Sequence, residues 1–349
     1  MKRLLLLIAG LAAAFCAAAQ ELPARFVVKT ASKDHVQGIA IDTAANCFYL
    51  SFTTSLVKTD YLGNVIACID TINGHLGAMT FDAASRKLYA SLECKDDAIG
   101  QGIAKNLGKE VYSREQSRFY IAGFDVDSMT QCGLWEVSAA VHDYKNKYGC
   151  SGIDGVAIAP RIGKKPGAPC LYVAYGIYRD LDRTDNDHQI LLEYKLDRLS
   201  GSTAALKEDA KYFIYTGNTS WGVQNMCYDP LNKCIFMACY AGKKPNFPNY
   251  TLFAVPVKQK PVKSTLKGLQ DDGKHLSLAL WKQGLLSKVE GIRGWRWRDG
   301  ATGMCTIGEG VWFVSTPKKL KNKTQTATVR RLKWKGGATE NPFEEAGLD

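Results

Sequence analysis

One two-part pattern recurs five times along this chain, and an internal repeat constrains the fold more than any single residue does. In each copy a run of small and apolar residues is followed by a turn and then by a segment that carries an aromatic residue. The first segments are residues 38–42, 78–82, 155–158, 225–229 and 303–306, and the second segments are residues 47–50, 87–90, 170–173, 234–237 and 310–313. Each pair predicts a β-hairpin.

Segments rich in β-branched and aromatic residues follow each hairpin and would extend it to four strands. The third strands are predicted at residues 55–60, 119–125, 189–197, 250–257 and 326–334, and the fourth at 64–70, 132–137, 211–216 and 276–281. The last repeat has no fourth strand, and residues 25–30 have no partner of their own. We therefore predict an all-β fold, a five-bladed β-propeller of four-stranded antiparallel blades, which the N-terminal strand closes. It would form a single domain over residues 20–349, and we expect a monomer.

Residues 1–19 have the composition of a secretory signal peptide. Lys2 and Arg3 precede an apolar run at residues 4–15 and small residues at 17–19. This run is shorter than the roughly 20 residues of a membrane span. We expect an exported protein, periplasmic or secreted, without a transmembrane segment. A lipoprotein anchored at Cys16 is the less favoured alternative, because the bulky Phe15 precedes that cysteine.

The chain has a net charge of +11, and much of that charge is local. The basic residues near the C-terminus are Lys318, Lys319, Lys321, Lys323, Arg330, Arg331, Lys333 and Lys335. Such a patch attracts polyanions such as acidic glycans, although nucleic acid is not a favoured partner here. The preferred interpretation is that these side chains serve solubility and discourage pairing at a strand edge.

The longer insertions, including residues 93–118 and 138–152, fall at the end of the predicted blades where the inner strands begin. We call this end the top face and expect a binding site there. Trp295, Arg296, Trp297 and Arg298 lie in a loop that leads to it, next to Asp299. Tryptophans could stack on a sugar while arginines bind an acidic group. The same alternation describes a strand with buried tryptophans and solvated arginines.

The residues just before the inner strands should line the mouth of the central channel. His35 and His75 occupy equivalent positions in two neighbouring blades, and Gln37, Asp154 and Gln224 form an adjacent ring. Two histidines with Asp154 could hold a divalent metal ion such as zinc and leave a position open for water. The alternative is that these histidines only form hydrogen bonds with the backbone.

Two further features concern an ion and a disulfide. Four carboxylates alternate in one loop, and calcium binds six to eight oxygens; they belong to Asp180, Asp182, Asp185 and Asp187. The loop lacks the glycine and the closing glutamate of an EF-hand, and Arg179 and Arg183 would neutralise much of its charge, so a solvated polar loop is the preferred interpretation. Among the cysteines, Cys47, Cys170 and Cys234 occupy the same place in three blades, where a small buried apolar residue would serve, and this argues against a disulfide framework. The one candidate pair is Cys227 with Cys234, which the turn between them would set opposite each other.

The repeat, with its inner strand at residues 35–42 followed by a turn and an aromatic-containing strand, resembles the NHL and SMP-30/gluconolactonase-like propellers. The resemblance extends over nearly all of the chain after residue 19. Propellers of this type include both enzymes and binding modules, so the resemblance is consistent with either function. Lactonases of this type have six blades and hold one divalent metal with a Glu, an Asn and an Asp. This chain has neither a sixth blade nor an equivalent Glu before an inner strand.

Two functions are consistent with these features. The first is an exported propeller that binds a carbohydrate or other anionic ligand on its top face through Trp295, Arg296, Trp297 and Arg298, with Gln37 and Gln224 nearby. The second is a metal-dependent hydrolase or lyase at the channel mouth. In that case His35, His75 and Asp154 would bind the metal, and Asp299 would be the general base.

Overall fold

Five antiparallel-rich sheets form a ring in the computed structural model, and this arrangement is a five-bladed β-propeller, as predicted. The structure describes residues 21–145, 150, 152–165, 167–176, 187–201, 203–217, 220–266 and 273–347. The innermost strand of each blade packs against those of its two neighbours, so the inner strands surround a central channel. The core consists of apolar side chains between successive blades.

The elements follow the chain around the ring. The first strand is β1 (Arg25–Lys29), and blade one contains β2 (Val36–Asp42), β3 (Cys47–Phe52), β4 (Ser55–Asp60) and β5 (Val65–Ile69). Blade two contains β6 (His75–Asp82), β7 (Lys87–Cys94), helix α1 (Ala98–Asn106), β8 (Arg118–Asp125) and β9 (Thr130–Val137), and is followed by helix α2 (Ser138–Lys145). Blade three contains β10 (Gly155–Ala159), β11 (Cys170–Tyr175), β12 (His188–Lys195) and β14 (Ala210–Tyr215), with a 3-10 turn at Leu196–Arg198 and β13 (Thr203–Leu206) in between.

The last two blades complete the ring. Blade four contains β15 (Val223–Asp229), β16 (Cys234–Cys239) and β17 (Leu252–Pro256). The chain then forms β18 (Val262–Ser264), β19 (His275–Leu278), β20 (Leu285–Leu286), β21 (Arg293–Gly294) and a 3-10 turn at Asp299–Thr302. Blade five contains β22 (Met304–Gly308), β23 (Val311–Lys319), β24 (Gln325–Trp334) and β25 (Phe343–Glu345).

Aspartates at the ends of inner strands fix the hairpin turns. Asp42 Oδ1 accepts hydrogen bonds from the backbone N–H groups of Ala44 and Ala45, at 3.1 Å each. Asp229 accepts equivalent bonds from the turn of blade four. Because a short carboxylate binds the N–H groups two and three residues later, it stabilises the turn between the two strands.

Ring closure by the N-terminal strand is confirmed. All five residues of β1 pair antiparallel with β24, in a register that places Arg25 opposite Arg330 and Lys29 opposite Thr326. Phe26 and Val28 face the core and are buried, whereas Val27 on the opposite side of the strand is exposed. The strand therefore adds both backbone hydrogen bonds and buried apolar surface to blade five.

The predicted fourth strand of blade four is wrong. The strand that overlaps residues 276–281, β19, pairs parallel with β14 and so extends blade three. In blade four, Leu252 at the edge of β17 instead exchanges backbone hydrogen bonds with Trp295 at 2.9–3.0 Å. The connection after β17 is long. It first adds β18 and β19 to the sheet of blade three and then comes back to blade four, where Trp295 pairs with Leu252. In a similar way, β13 pairs parallel with β9 of blade two.

The proposed disulfide between Cys227 and Cys234 is also wrong. Cys234 lies opposite Asp229, and Cys227 lies opposite Phe236, so the two cysteines are two positions apart in the register. Both thiols are buried, and neither forms a disulfide. The other cysteines that the structure describes form no disulfide either, and they are buried apart from the exposed Cys68 and the half-buried Cys132. They act as small apolar residues of the core.

His188 in blade three gives the protein a predictable response to acid. Burial lowers the pKa of His188 to about 4 from an ordinary value of 6.5, with a smaller contribution from His275. Between these two pH values the unfolded chain binds a proton that the folded protein excludes. We therefore expect the free energy of unfolding to decrease as the pH falls from 6.5 towards 4, by up to about 3 kcal/mol from this residue.

Urea denaturation at pH 7 and pH 4.5 checks this expectation. His188→Gln cannot take up a proton, so its free energy of unfolding should decrease less between the two pH values than that of the wild type. Equal pH dependence in both proteins would contradict the assignment to His188.

No helix in the described part of the chain is long and apolar enough to span a bilayer. The predicted signal peptide and Cys16 lie outside the described residues.

Candidate functional site

A cavity of about 320 Å³ lies at the top of the central channel, where four blades meet. Blades one to four all contribute side chains from the starts of inner strands, the ends of second strands or the loops beside them. The residues that line it are His35, Gln37, His75, Lys95, Asp97, Ile99, Tyr144, Cys150, Asp154, Trp221, Gln224 and Tyr240. We call this space the mouth cavity, and its volume is that of a small-molecule pocket.

Three potential ligand groups converge beside the mouth cavity, which His75 and Asp154 line and Glu93 does not. Atoms of His75, Glu93 and Asp154 all lie within 4.8 Å of one another, and we call these residues the His–Glu–Asp cluster. His75 begins β6, and Glu93 lies directly opposite it in β7. Asp154 precedes the neighbouring inner strand β10. Two adjacent blades thus build the cluster.

Two glycines make room for the carboxylates. A Cβ atom on Gly77 would lie 2.6 Å from Asp154 Oδ1, and a Cβ atom on Gly152 would lie 2.1 Å from Glu93 Oε1. Both distances are shorter than real Cβ contacts. Any larger residue at either position would therefore displace a carboxylate from the cluster.

A buried ion pair holds Glu93 in place. Lys95 Nζ lies 2.7 Å from Glu93 Oε2 and 3.2 Å from Asp97 Oδ2, and only 8% of the Lys95 side chain is exposed. Glu93 Oε1 accepts a hydrogen bond of 2.6 Å from the backbone N–H of Ile153. Both oxygens of Glu93 are thus engaged, which fixes the orientation of the carboxylate.

Two of the three pKa values in the cluster are raised, and that of Glu93 is lowered. Burial alone would lower the pKa of His75, but Glu93, 3.7 Å from its Nδ1, and Asp154 outweigh burial and raise it. Burial and the charge of Glu93 raise the pKa of Asp154 to about 7. Burial opposes ionisation of Glu93 too, but Lys95 and His75 hold its pKa below the usual range. The cluster therefore favours added positive charge.

Several buried polar atoms of the cluster have no hydrogen-bond partner among the described residues. They are both ring nitrogens of His75 and Oδ1 of Asp154. Buried polar groups are normally hydrogen-bonded, and a group of unpartnered atoms at the bottom of a cavity is typical of a binding site.

The structure brings most of the predicted channel-mouth residues together. His35, His75, Asp154, Gln37 and Gln224 all line the mouth cavity. The predicted metal set needs a correction, however, because Glu93 rather than His35 completes the three-residue cluster. The Nε2 atom of His35 lies 3.1 Å from Nε2 of Gln37, so the amide can donate to the imidazole. Burial and the nearby His75 lower the pKa of His35.

Aromatic side chains form a second wall of the mouth cavity. The rings of Trp221 and Tyr240 lie 5.5 Å apart in an edge-to-face arrangement, and both side chains are half-buried. Tyr144 on α2 is also half-buried, and its hydroxyl donates to Asp96. The guanidinium of Arg114 lies 4.6 Å from the Tyr144 ring centre and covers one of its faces.

The segment from Trp295 to Arg298 does not offer tryptophan faces to a ligand. Trp295 and Trp297 are only 1% and 5% exposed, and they pack in an aromatic cluster between blades four and five. Arg296 is exposed and pairs with Glu340 at 2.6 Å, and Arg298 is exposed as well. The alternation therefore matches the second interpretation, in which tryptophans lie inside and arginines outside.

Asp299 is not placed to act as a base in the mouth cavity. Its carboxylate forms an ion pair with Arg330, and it is not among the lining residues. Arg330 also binds Glu345, while Lys333 and Lys335 lie 4.0 and 3.1 Å from Glu344. The C-terminal strand β25 thus neutralises part of the basic patch, which weakens its expected attraction for polyanions.

The predicted calcium loop falls largely outside the described residues, which exclude Asp180, Asp182 and Asp185. Asp187 is described, and its buried carboxylate forms an ion pair with Lys244. This ion pair gives Asp187 a structural role in blade three.

Sequence reasoning missed Glu93, Lys95, Trp221 and Tyr240. Extending the hairpin register past the predicted end of the second strand would have placed Glu93 beside the start of the first strand, near His75. Tyr240 follows Cys234 by six residues, as Glu93 follows Lys87, so the same extension would have placed it at the channel mouth. Trp221 lies just before β15, at the same end of the hairpin that β15 forms with β16.

No protein-family model matches this chain, and a search of the curated proteins found no match either.

Proposed function

We propose that this propeller binds a small neutral carbohydrate in the mouth cavity. The observation that carries the proposal is the convergence of half-buried aromatic rings with amide side chains on one cavity. Trp221 and Tyr240 offer apolar surface to the C–H groups of a sugar ring, and Gln37 and Gln224 can donate to and accept from its hydroxyls.

The charges around the cavity favour a neutral ligand over an anionic one. Asp97 and Asp154 bring two carboxylates to its lining, Glu93 adds a third beside Asp154, and Lys95 is the only lysine or arginine among the described residues that line it. An acidic ligand would be repelled by this excess of carboxylates. The predicted preference for anionic ligands therefore does not extend to the mouth cavity.

A carbohydrate ligand also suits an exported protein, and export remains a prediction from residues 1–19. The resemblance to NHL and SMP-30/gluconolactonase-like propellers also supports a site at the channel mouth, and it rests on the pattern of the blades alone. Fold does not specify the ligand, so the site residues carry the proposal.

Trp221→Ala should weaken sugar binding roughly five- to thirtyfold, because the loss of a stacking ring removes roughly 1–2 kcal/mol of contact. Isothermal titration calorimetry with a panel of neutral mono- and oligosaccharides measures the affinity. Since the ligand is uncharged, the dissociation constant should change little between 50 mM and 500 mM salt.

Trp281→Ala is the matched control. Trp281 is half-buried in the aromatic cluster of blades four and five and lies away from the mouth cavity, so its replacement should lower stability but leave affinity unchanged. Equal affinities of wild type and Trp221→Ala for every sugar found, or binding only to acidic polymers with steep salt dependence, would contradict the proposal.

A hydrolase is the second candidate function. The specific observation in its favour is the His–Glu–Asp cluster, which combines an imidazole and two carboxylates beside the same cavity. Release of nitrophenol from nitrophenyl glycosides and opening of simple lactones would test it. Turnover that persists in Asp154→Asn would exclude this cluster as its source.

A further inference from the structure

We infer that the His–Glu–Asp cluster binds one divalent transition-metal ion. The inference shares the mouth cavity with the proposed function but does not depend on it. One imidazole nitrogen and two carboxylate oxygens form a known donor set for such ions, with further positions left for water or a ligand. Ligands about 2.0–2.2 Å from one ion lie roughly 3.5 Å from each other, so the 4.8 Å limit of the cluster requires only a small closure.

The unpartnered histidine is an independent indication of a ligand. His75 is only 7% exposed, and neither ring nitrogen has a hydrogen-bond partner among the described residues. Asp154 Oδ1 is buried without a partner in the same place. A cation accepts lone pairs from an imidazole and from carboxylates at once, and thus satisfies these atoms together.

The formal charges point to the same ligand. With Asp154 ionised and His75 neutral, as metal binding requires, Glu93, Asp97 and Asp154 oppose a single ammonium among the described residues, that of Lys95. This leaves two uncompensated negative charges beside the buried cluster, and a divalent cation would neutralise them.

The bonds that Glu93 already makes are compatible with a metal. Each carboxylate oxygen carries two lone pairs, so Oε2 can contact Lys95 and still coordinate an ion. Lys95 and the N–H of Ile153 fix the orientation of this carboxylate. We regard Lys95 as a positioning residue, because supporting bonds of this kind set the geometry of metal ligands.

The donor types select the ion. Magnesium and calcium prefer sites built from oxygen alone, whereas an imidazole favours zinc, cobalt and similar ions. We therefore expect zinc to bind at least 100-fold more tightly than magnesium or calcium.

The test uses purified protein stripped with a chelator and titrated calorimetrically with zinc, magnesium or calcium, with stoichiometry from elemental analysis. We expect one zinc per chain, and at least a 100-fold weaker affinity in Asp154→Asn. Asp96→Asn is the matched control. It neutralises a nearby carboxylate that accepts from Tyr144 but does not line the cavity, and it should change zinc affinity less than threefold.

Substoichiometric zinc, or equal zinc affinities for wild type and Asp154→Asn, would overturn the inference. If Asp154→Asn fails to fold, the visible absorption spectrum of the wild type with cobalt decides, because the absence of a protein-bound cobalt band also overturns it. Sugar titrations in chelator separate the two proposals. Sugar binding without zinc binding contradicts only the metal site, and zinc binding without sugar binding contradicts only the proposed function.

Discussion

Deletion of residues 21–29 should lower the free energy of unfolding by at least about 5 kcal/mol and the melting temperature by more than about 10 °C. The deletion removes β1, which pairs with residues 326–330 of β24, together with the buried side chains of Phe26 and Val28. Each buried side chain contributes roughly 2 kcal/mol, and the lost strand pairing adds to this. Circular dichroism melting and urea denaturation measure the effect.

Two neighbouring valines in the same strand provide a control for the deletion. Val28 is fully buried and Val27 is 42% exposed. Val28→Ala should therefore cost about 2 kcal/mol, and Val27→Ala less than about 0.5 kcal/mol. A melting curve that the deletion leaves unchanged would show that ring closure does not depend on β1.

Glu93→Gln should destabilise the fold by about 3 kcal/mol. The substitution keeps the shape of the side chain and an oxygen for the N–H of Ile153. It removes the charge that lies 2.7 Å from the buried ammonium of Lys95. Breaking one side of a buried ion pair costs more than the pair contributes, because the remaining charge stays away from water. Urea denaturation at pH 7 measures the change.

The exposed ion pair between Arg296 and Glu340 is the matched control. Both of its side chains are more than half exposed, so Glu340→Gln should cost less than about 0.5 kcal/mol. In the double variant Glu93→Gln/Lys95→Met, much of the lost stability should return, since neither charge is then buried alone. Equal costs for Glu93→Gln and Glu340→Gln would contradict the structural role of the Glu93–Lys95 pair.

The candidate site depends on residues from separate blades. His75 and Glu93 come from one hairpin, whereas Asp154 and the Trp221–Tyr240 wall come from the next blades around the ring. Deleting the N-terminal strand should thus weaken ligand binding as well as stability, although no residue of β1 lines the mouth cavity.

The sequence by itself determined the hairpins, their number and the closing strand. Alternation of buried and exposed residues along a strand and the aspartate-capped turns are local properties, so they are visible within about 15 residues. The partner of β1 followed from simple counting, because one blade lacked a strand and one strand lacked a blade. Comparison of equivalent positions just before the inner strands placed His35, His75 and Asp154 at the channel mouth.

Only the tertiary structure decided which edge each outer strand joins and which side of a segment is covered. Strand β19, which overlaps residues 276–281, pairs with β14 of blade three, because the choice between two edges depends on long-range packing. Alternation showed that Trp295 and Trp297 share one side, but only the aromatic cluster beside them determines that this side is buried. Glu93 entered the site for a related reason. It lies beyond the predicted end of its strand. Its buried carboxylate is stabilised by the ammonium of Lys95 and the backbone N–H of Ile153, and these contacts form only in the folded protein.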